Sequence, residues 1–300
     1  MSGNIKKETY FVLEESILQS VAFILIEGQP ETKGVIQISN SYEESNLHFL
    51  CLFFIYFMIY TTKGIVLRTI KYGETSVIAS VFTERFGVQS YMVNNVRTSG
   101  KSLKAHFFQP SSILDLEVYH NELKNLQRIK DLKWSSIYKS LLSDVIKNSI
   151  ALYMVEVLQK ALKQPEPNAD LFSFCEDAFL FLDTATNGVA ANFPIYFSLQ
   201  LAPFLGIRLH DNYSDTSNFF DISEGKFADV NPMSEHQVDA DTSCYISELL
   251  KVMHPHDLGE IKINRSIRFK ILQYLEEYYT WHVPEFGSLK TLPILSAIVS

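Results

Sequence analysis

The stretch "YGETSVIASVFTERFG", Tyr72 to Gly87, decides the fold class. Ser76 to Thr83 alternates small and apolar residues, the pattern of a strand with one covered face. Gly73-Glu74 before it and Glu84-Arg85-Phe86-Gly87 after it carry turn chemistry, with Gly87 standing where the backbone needs positive φ. Working outward, Lys63 to Thr69 is rich in Ile and Val, and Val88 to Val93 reads as a third strand. Three antiparallel strands joined by hairpin turns are expected. The polar loop "NNVRTSGKSLKAHFFQP" (Asn94–Pro110) follows, with room for one helical turn. Ser112 to Tyr119 and Asn125 to Leu132 then supply strands four and five. Five short strands at this spacing point to a small closed barrel, of which the OB-fold is the five-stranded form.

After Trp134 the apolar period becomes helical. Leu142, Val145, Ile146, Tyr153, Val157 and Ala161 share a stripe that Pro165 and Pro167 end. Asn168 is placed to cap the next helix, whose stripe runs through Leu171, Phe174, Cys175, Ala178, Phe179 and Leu182. Asn187-Gly188 reads as its stop, and a third helix is expected from Pro194 to Gly206. "FFDISEGKF" (Phe219–Phe227) reads as a hairpin. Further helices are expected around Ile246–Met253, Ile267–Tyr278 and Leu289–Ile298. The expected class is mixed β and α: an N-terminal five-stranded OB-fold barrel over 58–135, then an all-α C-terminal domain over 136–300.

Residues 1–57 resist assignment. Glu8 to Ile26 has a helical pattern, and "ETKGVIQISNSYEES" (Glu31–Ser45) faintly echoes "TTKGIVLRTIKYGETS" (Thr61–Ser76). The apolar run "HFLCLFFIYFMIY" (His48–Tyr60) falls short of the roughly 20 residues a bilayer-spanning helix needs, so no membrane attachment is expected. The first residues carry both signs of charge and end in no cleavage-site pattern, so no leader is expected either. Cys51, Cys175 and Cys244 form neither a disulfide framework nor a paired metal motif. A reducing compartment, the cytoplasm, fits.

Net charge is −8, which taken alone argues against a polyanion partner. The average hides an asymmetry: Met58 to Ser140 holds twelve Lys/Arg against six Asp/Glu, while both flanks are acidic. Lys63, Arg68 and Lys71 lie along the first strand and its turn, Arg85 in the next turn, and Arg97, Lys101 and Lys104 in the loop. Cations so placed attract a phosphodiester backbone, and Tyr72, Phe86 and Tyr91 stand near enough in sequence to add base stacking. The plainer reading is a solvated barrel surface with core aromatics. Arg265, Arg268 and Lys270 form a second basic island, read equally well as an ordinary helix surface.

Other constellations are weaker. "HPHD" (His254–Asp257) is an exposed loop before it is a metal site, which needs three or four convergent ligands. Asp211, Asp215, Asp221, Asp229, Asp239 and Asp241 match no EF-hand spacing. Cys175 sits on an apolar stripe, as a buried structural thiol does. No phosphate loop, nucleophile elbow or zinc-protease motif occurs. Neither catalysis nor a cofactor is expected.

The run from Lys63 to Val118 resembles the N-terminal region of the bacterial RecO DNA repair family. The resemblance rests on a "GIVL" strand, a "GE-S" turn, a strand ending "FTE--G", and a small, basic loop leading to "QP", in that order. It implies an OB-fold with a helical domain and a non-enzymatic role in recombinational repair. It further implies binding of single- and double-stranded DNA, annealing of complementary strands, and work with RecR and single-strand-binding protein that helps RecA load. The DNA contacts it implies here are the seven barrel-segment cations, Lys63 to Lys104. Some members hold zinc through four cysteines in the helical domain. None occurs from His210 to Pro232, so no zinc is expected. The family's N-terminus begins a few residues before the "KGIVL" strand, and Met58 occupies that place here, which makes Met58 the expected natural start and 1–57 an upstream extension. Two other readings stay open: an OB-fold module for RNA, and a scaffold whose barrel binds protein.

Overall fold

The computed structural model describes residues 59–94, 96, 104–230 and 236–298. The expected helix over Glu8–Ile26, the echo over Glu31–Ser45 and most of the apolar run lie outside these residues. Ile59 and Tyr60, the end of that run, begin the first strand.

Five strands close a barrel: β1 (Ile59–Tyr72), β2 (Ser76–Thr83), β3 (Gly87–Val93), β4 (Ile113–Tyr119) and β5 (Leu126–Trp134), in the order β1-β2-β3-β5-β4. All pairs are antiparallel except β3 with β5. A helical turn, α1 (Lys104–Phe107), lies between β3 and β4. β1 is long enough to pair with β4 along its first half and β2 along its second, and this closes the sheet. Its register with β2 slips between Val66 and Arg68, a β-bulge. The barrel interior is filled by Val66, Val77, Ala79, Val81, Tyr91, Leu114, Leu116 and Val118.

The helices are α2 (Val145–Ala161), α3 (Ala169–Thr184), α4 (Asn187–Leu201), α5 (Ala240–Leu250), α6 (Arg265–His282) and α7 (Thr291–Ile298). The expected hairpin is present as β6 (Phe219–Asp221) and β7 (Lys226–Ala228). Asn168 caps α3 as its position predicted, its side chain accepting from Leu171 N. One boundary differs. Asn187-Gly188 opens α4 rather than stopping α3, and Pro194 lies inside α4. Only Ala185 and Thr186 separate the two helices. A proline in a helix interior costs about 3 kcal/mol. Here α4 is buried on nearly every side, and that burial overrides the local signal.

Residues Ile59–Ser300 form one compact unit. Ile65, Leu67, Phe82 and Ile113, on the barrel's outer face, join the helical core, and Phe82 packs on Phe172 of α3 at 5.5 Å. Gln159 of α2 donates to Leu67 O at 2.6 Å. The segment leading from β5 to α2 is held by Asp183, whose carboxylate accepts from the backbone N–H groups of Lys139, Ser140 and Leu141 at 2.7–2.8 Å. Burial pushes the Asp183 carboxyl up. The three backbone donors and Lys147 outweigh it and hold the group below its ordinary value. Among the described residues no helix is long and apolar enough to cross a membrane.

Gly87 has φ +63°, and a Cβ there would collide with the backbone of Glu166 between α2 and α3. Gly87→Ala is expected to lower unfolding stability by about 2 kcal/mol, from the strained backbone and the clash together, read as a lower urea midpoint. Because Asp183 titrates below its unfolded value near ~3.9, its stabilisation is complete above that pH and is lost as pH falls through the folded value. Asp183→Asn should therefore cost about 2 kcal/mol at pH 7, and its deficit relative to the native chain should shrink as pH falls below the unfolded value and through the lower folded one.

Candidate nucleic-acid interface

Side chains alternate across a strand, so the faces of the barrel follow from its interior residues. With Val77, Ala79 and Val81 inside, Ser76, Ile78 and Ser80 of β2 face outward. Register pairs Arg68 with Ser80, Ile70 with Ile78 and Tyr72 with Ser76. Arg68, Ile70 and Tyr72 are therefore outward too. The bulge makes this possible: an unbroken β1 would turn Arg68 to the same side as Val66, into the barrel. Across the sheet the row continues from Ile78 to Met92 on β3 and Arg128 on β5. Lys71 pairs with Val77 and lies exposed at the barrel mouth.

Arg68 and Lys71 make no ion pair among the described residues. The strand end they occupy is also where the basic loop is tied. Ser76 Oγ donates to Asn94 Oδ1 at 3.1 Å, Val96 N to Thr75 O at 2.9 Å, and Thr69 Oγ1 to Phe108 O at 2.8 Å. The chain thus leaves and rejoins the barrel beside Arg68 and Lys71. Arg97 and Lys101 lie outside the described residues, as does the side chain of Lys104, which opens α1.

Of the remaining two expected cations, Lys63 lies five residues before Arg68 on β1, about 16 Å along the strand, and Arg85 sits in the turn after β2. Lys63 is committed: its ammonium bonds both Glu176 oxygens of α3, at 2.8 and 3.0 Å. The hydrogen bond to Glu176 raises the Lys63 pKa, against burial. Arg85 stacks over the Tyr60 ring at 4.5 Å, beside Phe86, which in turn stacks on His120 at 3.8 Å. Burial, opposed by Glu122 and reinforced by Arg85, holds the His120 imidazole below its ordinary value.

The Lys63 end of β1 is rich in carboxylates. A cleft of about 390 Å³ is lined by Lys63, Glu84, Asp115, Glu117, Asp131 and Lys133. Lys133 pairs with Asp115 at 3.5 Å, and Lys130 with Glu117 at 2.9 Å. The carboxylates on the outer face of β4 and β5 are therefore matched by cations, and this face is internally neutralised. The outward rows Arg68–Ser80, Ile70–Ile78–Met92–Arg128 and Tyr72–Ser76 carry no carboxylate. The barrel is polar in charge, and the seven cations divide between two environments.

Of the expected stacking residues, Tyr91 is fully buried in the barrel and Phe86 is half-buried in the His120 stack, while Tyr72 is open to solvent. The second basic island is not an open patch. Arg268 is buried, its guanidinium bonding Asn192 Oδ1 at 3.0 Å and Ile263 O at 2.8 Å. Lys270 pairs with Asp239 at 2.5 Å, and Arg265 donates to Ser296 O at 2.9 Å. Sequence reasoning missed Arg128 and Met92 as surface neighbours of Arg68 and Tyr72. Only the pairing of β3 with β5 brings them together, and no local pattern announces it.

Two family models match the chain: residues 58–138 match "Recombination protein O N terminal" and residues 142–293 match "Recombination protein O C terminal". The DNA repair protein RecO of Azobacteroides pseudotrichonymphae genomovar. CFP2 is 32% identical over 241 residues, covering 80% of this chain and 99% of that protein. The DNA repair protein RecO of Bacteroides fragilis (strain YCH46) is 32% identical over 244 residues, covering 80% and 99%. That of Phocaeicola vulgatus is 31% identical over 243 residues, covering 81% and 100%.

A double-mutant cycle on Lys63→Ala and Glu176→Ala should give a coupling of about 0.5–1 kcal/mol at low salt, small because the lysine is part-exposed. The coupling should shrink as salt screens the pair.

Proposed function

The chain belongs to the recombination protein O (RecO) family, and on that premise we propose that it is a non-catalytic DNA-binding protein of recombinational repair. It binds single- and double-stranded DNA and anneals complementary strands. With RecR it assists RecA loading, and it contacts single-strand-binding protein, all in the cytoplasm. Residues 58–135 are the DNA-binding part and 136–300 the helical part that meets proteins.

The observation that carries this reading is the uncommitted cationic end of the barrel. Arg68 and Lys71 are exposed there without carboxylate partners among the described residues, beside the two anchors of the basic loop. Phosphates neutralised by such groups release counterions, so binding is salt-dependent and blind to sequence. Annealing requires two polyanions to approach each other, and a local positive potential lowers their repulsion. The neutralised β4–β5 face offers DNA little attraction and the acidic helical part repels it, which favours the β1–β2–β3 side. Arg97, Lys101 and Lys104 extend the contact. Lys63 and Arg85 contribute less, since one is neutralised by Glu176 and the other lies over the Tyr60 ring.

Arg68→Glu with Lys71→Glu should weaken binding of every DNA sequence at least ten-fold at low salt. It should also reduce the slope of log affinity against log salt by about 1.5, the value for two lost phosphate contacts. Arg97→Glu, Lys101→Glu and Lys104→Glu together should act the same way, whereas Arg85→Glu should change little. Anisotropy titrations with labelled oligonucleotides measure all of these. Equal competition by single-stranded RNA of the same length would overturn DNA as the ligand, and absence of binding at low salt would favour a protein scaffold.

A further inference from the structure

The face that carries Arg68 also carries an uncovered apolar surface. Tyr72 is 53% exposed and Ile70 43% exposed, both outward on β1. Ile78 and Met92, half-buried, continue the surface across β2 and β3. The corresponding outward residues lower on the barrel, Ile65, Leu67 and Phe82, are covered by the helices. Above the bulge Ile70 and Tyr72 stay exposed among the described residues. The Tyr72 ring makes no ring contact and its hydroxyl no hydrogen bond there. An apolar patch left open on a charged surface marks a binding site.

The chemistry around the patch selects its occupant. Arg68 lies four residues from Tyr72 on the same face, about 13 Å along the strand. Arg128 borders Met92 on the far side, and Lys71 stands at the mouth. No carboxylate shares these outward rows, although Glu74 is exposed in the adjoining turn. A flat aromatic ring with aliphatic neighbours, rimmed by cations, complements an anionic chain that displays planar apolar faces. Unpaired nucleic acid is such a chain. In a duplex the base faces are stacked inside, and only base edges, sugars and phosphates are available.

Resting on the proposed DNA-binding role, we propose that Tyr72 is a base-stacking residue that makes this face prefer single strands to duplex. Its ring receives one unpaired base, Ile70 and Met92 form the floor beside it, and Arg68 holds a neighbouring phosphate. Stacking is sequence-tolerant because every base has a π-face, and it releases no counterion. Tyr72 and Arg68 therefore leave different signatures: one sets the preference for unpaired strands, the other the salt dependence.

The test compares the full chain with its Tyr72→Ala and Tyr72→Phe variants. Each is titrated with one fluorescent oligonucleotide, alone and annealed to its complement, over a series of salt concentrations. Tyr72→Ala should lose roughly ten-fold in single-strand affinity, keep its duplex affinity, and keep the native salt slope. Tyr72→Phe, which retains the ring, should bind as the native chain does. Native unfolding midpoints for both variants accompany the comparison, and Tyr72→Phe alone must reproduce native affinity if the ring is what matters. The proposal is overturned if Tyr72→Ala binds single strands like the native chain. Equal loss on single strands and duplex, or a changed slope, overturns it as well. A native chain that binds no DNA at low salt overturns the DNA-binding role itself, which separates that failure from the failure of the stacking assignment.

Discussion

Strand β1 has to satisfy two demands that a regular strand cannot meet. Its first half must send Ile65 outward to the helical core while Val66 fills the barrel. Its second half must send Arg68, Ile70 and Tyr72 outward to solvent. In a regular strand residues 65 and 68 face opposite ways. The bulge between Val66 and Arg68 inserts the one residue that reconciles them, and Leu67, the residue inserted, is itself buried against the helices. Both the packing of the barrel on the helices and the open cationic face depend on that single slip in register.

Charge is segregated around the same barrel. Lysines on the β4–β5 side are spent on neighbouring carboxylates, and Lys63 is spent on Glu176. Exposed pairs of this kind add little stability. Their larger effect is to cancel positive potential on one side and leave it standing on the other. An overall charge of −8 is therefore compatible with a polyanion ligand, because a phosphate chain meets local potential rather than the average. The acidic bulk then acts as a boundary to the site.

The junction with the helices keeps this face rigid. Gly87 lets the β2–β3 turn reach the backbone at Glu166, Gln159 and Glu176 fasten β1, and Asp183 gathers the three N–H groups of the connecting segment. Each of these is a polar or steric contact between elements distant in sequence. Apolar burial by Leu67, Phe82 and Phe172 makes the association favourable. The polar contacts fix which way round it forms, because a misplaced barrel would leave the Asp183 carboxylate and the connecting amides buried without partners.

The alternation of Ser76–Thr83, the glycine at 87, the helical stripes through Leu171–Leu182 and the cap at Asn168 determine their elements locally. Strand, turn and helix depend on neighbours within a few residues, so the architecture was legible in the amino-acid order. The excess of cations between Met58 and Ser140 was legible for the same reason, since it is a property of composition. Which of those cations stay free was not. Lys63 and Arg68 look alike in the sequence, five residues apart on one strand. Glu176, more than a hundred residues away, neutralises the first, and a one-residue bulge turns the second outward. Likewise Arg265, Arg268 and Lys270 look like one island until Asn192, Asp239 and Ser296 are folded against them. Partners from distant segments, and the parity of a strand after a bulge, are set by how the chain closes on itself. Only the tertiary structure could decide them.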